Sequence, residues 1–203
     1  MKRLLLAVLL GISCTAAALA ADQALRVRGT IASLDGHTLS VTTAGGSTVK
    51  VVLADGYRVG QTAKADLSKI EPGTFIGTTA VPLPDGTLKA LEVHIFPPDQ
   101  RGRGEGFRPW DLTPNSTMTN ATVDTIGATS VDGVQGHILD LKYQGGEKKV
   151  VVPPYVPIVM NLPGDKSLLI AGAHVVVNAA KHDDGSIGAT SVIVGKDGSV
   201  PPM

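Results

Sequence analysis

From Leu25 onward, apolar and polar positions alternate with a period of two, broken at regular intervals by glycine pairs and Asp-Gly steps. That pattern predicts half-buried strands separated by tight turns. Leu25 to Ser33 alternates and stops at Asp35-Gly36. His37 to Thr43 follows, with Leu39 and Val41 on one face, and Gly45-Gly46 leads into Thr48 to Ala54. The pattern then changes. Asp66-Leu67-Ser68-Lys69-Ile70-Glu71 opens on a capping residue and meets Pro72-Gly73, which predicts a helix of one or two turns. Thr74 to Val81 and Leu88 to Phe96 are two more strands, joined across the Asp85-Gly86 hairpin turn.

The same order returns further along. Ala121 to Val131 runs to Asp132-Gly133, and Ile138 to Tyr143 and Lys148 to Val152 flank Gly145-Gly146. Asp165 to Ile170 is the second short helix, and His174 to Ala180 and Ile187 to Val194 flank Asp184-Gly185. Gly36-His37-Thr38-Leu39 matches Gly136-His137-Ile138-Leu139, and Asp66, Ser68 and Gly73 match Asp165, Ser167 and Gly172. Across 36–52 and 66–95, 15 of 47 positions are identical to those 100 or 99 residues later, which identifies a duplicated unit. One departure is Pro153, Pro154 and Pro157 after the third strand of the second copy. Proline cannot donate to a ladder, so this segment is expected at an edge or in a loop.

Three strands, a short helix and two strands is the order of the OB-fold, a small Greek-key barrel. The expected fold class is therefore all-β: two tandem OB-like barrels at 24–97 and 119–196, with a linker at 98–118 and a tail at 197–203. The linker has no strand or helix period. It holds Gly102, Gly104 and Gly106, then Arg108-Pro109-Trp110-Asp111. A structureless stretch of this length is functional or a tether, and the single tryptophan argues for contact with a barrel.

The first 20 residues read as a secretory signal. Lys2-Arg3 precede a short apolar core from Leu4 to Ile12, and Ala18-Leu19-Ala20 fit a signal-peptidase site. Gly11-Ile12-Ser13 suit a lipidation signal poorly, so Cys14, the sole cysteine, is expected to leave with the signal. The exported chain would carry 16 basic and 18 acidic residues and no disulfide. No block of one sign stands out and aromatics are few, which argues against nucleic acid. No later apolar stretch is long enough for a membrane-spanning helix.

The opening strands ending at Asp35-Gly36 and Asp132-Gly133, the Asp-x-Ser-x-x-x-x-Gly stretches at 66–73 and 165–172, and the closing hairpins at Asp85-Gly86 and Asp184-Gly185 resemble an exported proteobacterial family. That family is built on an OB-like domain of unknown function. Arg108-Pro109-Trp110-Asp111 and Ser116-Thr117-Met118-Thr119-Asn120 extend the likeness. It implies an OB-like fold in the cell envelope, periplasmic or secreted, and transfers no catalytic residue. Relatives sometimes carry the label of a metal transporter permease, which a chain without several spans does not fit.

The residues favour a non-catalytic binding or assembly module, for an envelope protein or a small ligand, over an enzyme. There is no Gly-x-Ser-x-Gly elbow, no cysteine nucleophile in the exported chain and no dinucleotide loop, because prolines flank Gly102-Arg-Gly104-Glu-Gly106. No cofactor is expected. Contact residues are expected at Arg108, Trp110 and Asp111 and in the groove between barrels. The alternative is metal handling, copper or zinc, through His37 and His137, which occupy matching positions in the two copies. No ligand spacing selects a metal, and both histidines also suit packing at a turn.

Overall fold

A computed structural model describes residues 23–201; the expected signal at 1–20 lies outside them. The described chain is all-β, with strands β1 Gln23–Asp35, β2 Thr38–Thr43, β3 Thr48–Ala65, β4 Phe75–Pro82, β5 Leu88–Ile95 and β6 Gly106–Pro109 before the second copy. That copy supplies β7 Thr117–Val131, β8 Val134–Tyr143, β9 Gly146–Val152, β10 Ile158–Pro163, β11 His174–Lys181 and β12 Ile187–Gly195. Among the described residues no helix is long and apolar enough to cross a membrane.

The strands close into two five-membered rings, and neither ring is made from one copy. The first runs β1-β2-β3-β12-β11 and back to β1, with β3 and β12 parallel and every other pair antiparallel. The second runs β7-β8-β9-β5-β4 and back to β7, with β5 and β9 the parallel pair. The boundaries 24–97 and 119–196 are therefore corrected. Each copy keeps its first three strands in one barrel and places its last two in the other.

The two cores record the exchange. One packs Val27, Ile31, Leu39 and Val51 against Val175, Val177, Val192 and Val194. The other packs Ile76, Val93 and Ile95 against Val123, Leu139, Leu141 and Val150. One core buries apolar side chains of 27–57 with those of 169–194 and the other those of 70–95 with 121–156, so burial of apolar surface, the main stabilising term, ties the two halves of the chain together.

The expected helices shrink to single 3-10 turns, Leu67–Lys69 and Lys166–Leu168. Asp66 and Asp165 cap them as expected, accepting from the backbone N–H of Ser68 and Ser167. The residues that follow, Ile70 and Leu169, leave helical geometry and enter a barrel core, one in each. An apolar plug four residues past the cap fixes the turn at that length.

The exchange is carried by β3, which is far longer than the Thr48–Ala54 run predicted for it. It bends near Gly56, whose φ is 72°. It then continues beside β12 and pairs Gly60 to Ala65 antiparallel with β10. In the second copy the same path is interrupted: Pro153 to Pro157 form a loop, and β10 resumes beyond it. The β3–β10 pair lies on a pseudo-twofold axis. Extending the 99-residue offset back from Asp66 and Asp165 aligns Thr62 with Asn161, and those two residues are directly opposite each other. Besides β3, β10 also pairs with β5 of the second barrel, so it joins the two rings into one sheet path.

Candidate functional site

The barrels meet through repeat-equivalent faces. Side chains alternate across a strand, so if Val93 and Ile95 fill the second core, Glu92 and His94 project outward on the other side. Register then builds two transverse rows on that outer face. Glu92, Thr79, Met118 and Arg108 form one, and His94, Gly77, Asn120 and Gly106 form the other. The first barrel presents the corresponding rows Arg26, Asn178, Ser191, Arg58 and Arg28, Val176, Ile193, Gly60.

Between these faces lies a cavity of about 330 Å³, within the usual range for small-molecule sites. Its wall comes from both barrels, from β10 and from the linker. Arg26, Arg58, Arg103 and Arg108 line it, and no acidic residue does. Phe96, Met118, Leu162, Val176 and Ile193 supply apolar wall. Four lining residues carry buried polar atoms without a hydrogen-bond partner: His94 Nδ1, Trp110 Nε1, Asn120 Oδ1 and Asn161 Oδ1. Leaving such atoms unpaired costs about 1–3 kcal/mol each, so their gathering around one cavity is a feature to be explained.

His94 is 1% exposed. Burial, with the nearby Arg108 charge adding to it, pushes its pKa down to about 3, so the imidazole is neutral. Its ring packs edge-on against Phe96, with centroids 4.8 Å apart. The ring and the Asn120 amide both lie over Gly77: a Cβ there would sit 2.0 Å from His94 Nε2 and 2.6 Å from Asn120 Oδ1. Glu92 is as buried as His94. Burial raises its pKa to about 7, against the lowering effects of the Thr79 hydroxyl and the Arg28 charge. Thr79 Oγ1 donates to Glu92 Oε1 at 2.7 Å, while Oε2 has no hydrogen-bond partner.

The linker is not structureless. Pro98–Gln100 is a 3-10 turn, and β6 within it pairs with β7. Asn120 Nδ2 donates to Arg103 O at 3.0 Å, and Gln144 N to Glu105 Oε1 at 2.9 Å, so this part belongs to the second barrel. The next residues reach the first barrel. The Arg26 guanidinium lies 3.6 Å from the Trp110 ring centroid, and Arg108 is 5.3 Å away on the same ring. Asp111 accepts from Arg26 at 3.3 Å and from Arg28 at 3.0 Å. Burial raises the Asp111 pKa, but the Arg28 hydrogen bond and the two arginine charges outweigh that and hold it below the usual carboxylate value. Desolvation and the Arg26 charge lower the pKa of Arg108.

Of the residues predicted from sequence, Arg108 and Trp110 line the cavity, and Asp111 clasps the linker to β1 beside it. His37 and His137 are not brought together. His37, beside β2 of the first barrel, donates to Leu53 O at 2.9 Å and lies 3.7 Å from Asp55. His137 is exposed on β8 of the second, in a shallow recess with Leu67, Ile70 and Ile126. Among the described residues there is no group of three or more His, Cys, Asp or Glu side chains placed to hold a metal ion.

Sequence reasoning missed Arg26, Arg58, Glu92, His94, Asn120 and Asn161. Glu92 and His94 alternate with core valine and isoleucine and so read as a solvated face. The available signal was their counterparts in the repeat, Ser191 and Ile193, since an isoleucine on that face points to burial.

In comparisons with known proteins, no family model, curated protein or solved structure matches this chain.

Proposed function

We propose that the protein is a non-catalytic binding module of the exported OB-like kind, and that it holds a small organic molecule in the seam between its barrels. The ring order, with the parallel pair formed by the third and fifth positions of each barrel, supports the OB-like assignment. The observation that carries the function is the cavity itself: about 330 Å³ of space walled by both barrels and the linker, where four unpartnered polar atoms meet an apolar surface. Binding rather than catalysis is favoured because the only cavity hydroxyl is Ser191, and among the described residues it has no hydrogen bond to a base. Export to the envelope follows from the Lys2-Arg3, apolar and Ala18-Leu19-Ala20 sequence of the first 20 residues.

Trp110 is the only tryptophan, and it lines the cavity, so its fluorescence reports on the seam directly. Screening the exported form against a library of small aromatic compounds should give saturable, one-to-one changes in that fluorescence. Ser191→Phe, which puts a large side chain into the same space, should abolish them and leave the fold intact by circular dichroism. No responding compound, or responses that survive Ser191→Phe, would overturn the reading.

A further inference from the structure

The chain as a whole carries 18 basic and 18 acidic residues, yet the cavity wall has four arginines and no carboxylate. Among the described residues the only carboxylate that pairs with any of the four is Asp111, on Arg26. Among the described residues Arg58, Arg103 and Arg108 have no ion pair. The side chain of Arg108 donates to Gly104 O at 2.7 Å, a neutral partner that leaves its charge uncompensated. Its neighbour Arg26 repels it, and the buried imidazole near Arg108 is held neutral. A partly enclosed space of this kind keeps a positive potential that water screens poorly.

Arginine's planar fork suits carboxylate and phosphate oxygens. The remaining wall discriminates between anions. Phe96, Met118, Leu162, Val176 and Ile193 present apolar surface that a bare inorganic ion would leave uncovered. The exposed arginines, Arg58 and Arg103, mark the outer part of the wall; the half-buried Arg26 and Arg108 lie further in.

We propose that the ligand is an organic carboxylate, its acid group held by Arg58, Arg103 and Arg108 and its apolar body packed against Phe96, Met118 and Ile193. This rests on the seam being a binding site and names the class of molecule it takes. The asymmetry of the repeat adds support. The linker arginines cross only one side of the pseudo-twofold axis, and His94 and Asn120 replace what in the other barrel are Ile193 and Arg28. A purely structural interface between duplicated faces has no need for that difference.

Calorimetric titration with 2-naphthoate and with its neutral analogue 2-naphthamide separates the charge from the body, and inorganic phosphate separates the body from the charge. Naphthoate should bind at least tenfold more tightly than naphthamide, and phosphate should displace it only weakly. Arg58→Gln with Arg103→Gln, both at exposed positions, should bring the affinities for acid and amide to within about twofold of each other. Equal binding of acid and amide, both lost in Ser191→Phe, would overturn the anion assignment and leave the seam as a site. Phosphate competing as well as naphthoate would overturn the organic body. Binding of neither aromatic compound would count against the seam itself.

Discussion

The two barrels are alike inside and unlike where they touch. Their cores use matching valines, leucines and isoleucines, and each is plugged by the residue after a 3-10 turn. At the seam the β4–β5 face shows Gly77, Thr79, Glu92 and His94, whereas the equivalent β11–β12 face shows Val176, Asn178, Ser191 and Ile193. One backbone frame therefore supports both a titrating face and a neutral one. Core positions are restricted by packing, and most divergence between copies there exchanges one aliphatic for another of similar size; the exception on β4 is the buried Thr78, which stands where the other copy has Val177. The seam is the part of the duplicated surface on which the copies have become chemically different.

The strongest test of this comparison asks whether the barrels can be separated at all. Strand exchange makes each half-chain complete neither barrel. A nick at Arg101 or Arg103 should leave the two pieces in one folded particle by size exclusion under native conditions. Either piece produced alone, 21–103 or 104–203, should lack a cooperative thermal transition, and mixing the two should restore it. A half-chain that folds by itself would show that a copy can close on its own strands.

Next in size is the pH response of the titrating face. Between about 4.5 and 7 the folded state keeps a proton on Glu92 that the unfolded chain has lost, so this group's contribution to stability falls as pH rises through that window. The amount is on the order of 3 kcal/mol. His94 acts in the opposite direction. Between about 6.5 and 3 the unfolded chain binds a proton that the folded state refuses, so stability falls as pH is lowered. In the parent protein the two slopes oppose each other between pH 4.5 and 6.5. Glu92→Gln should raise the melting temperature at pH 8 and leave the acid-side loss in place. His94→Gln should remove the acid-side loss attributable to this ring and uncover the decline toward neutral pH. Melting curves of both variants from pH 4 to 8 check the pair; parallel profiles would contradict it.

How much of this was legible in the sequence follows from what a repeat can encode. The strand positions, the Asp66 and Asp165 caps and the proline-broken segment all rest on local pattern. The exchange does not. β4 and β11 are copies of one strand, so β1 meets equivalent side chains whichever it pairs with, and alternation, turns and core residues are the same in both arrangements. What distinguishes them is the length of β3 beyond Ala54, where polar and small residues hide a strand that pairs with β10. Arg108, Trp110 and Asp111 were visible because an aromatic and charges in a glycine-rich stretch stand out. Glu92 and His94 were not, because a polar residue on a strand's outer face reads as solvated until a second barrel is known to cover it.

A smaller effect comes from giving the polar face the residue of its neutral counterpart. Gly77 corresponds to Val176 in the repeat. Val176 is accommodated, buried, at the seam, but a side chain at Gly77 meets His94 and Asn120. Gly77→Val should therefore destabilise the protein by roughly 1–3 kcal/mol, the usual cost of overpacking. Adding His94→Ala should recover part of it, because the ring that blocks the space is gone. Denaturant unfolding of the single and double variants measures the coupling. Additive losses would mean that the imidazole does not set the requirement for glycine.

The smallest expected change is at the clasp that closes the seam. Asp111 bonds to Arg26 and Arg28, but its side chain is 47% exposed. Solvent screening limits such a pair, and Asp111→Asn should cost less than about 1 kcal/mol. Because the folded-state pKa is depressed, that contribution is present above the ordinary aspartate value of 3.8 and fades as pH falls below it. The consequence for the linker should be larger than the consequence for stability. Freed from Asp111, Arg26 no longer has a second anchor for its stack on Trp110, and the link from β6 to the first barrel weakens. Tryptophan emission should move toward longer wavelength, and chymotryptic cleavage after Trp110 should quicken while the melting temperature barely shifts. If organic acids fill the seam, Asp111→Asn should also strengthen naphthoate binding modestly, since Arg26 then loses the one carboxylate that competes for it. A large fall in melting temperature with no change in emission would place Asp111 in the support of β1 rather than in the closure of the cavity.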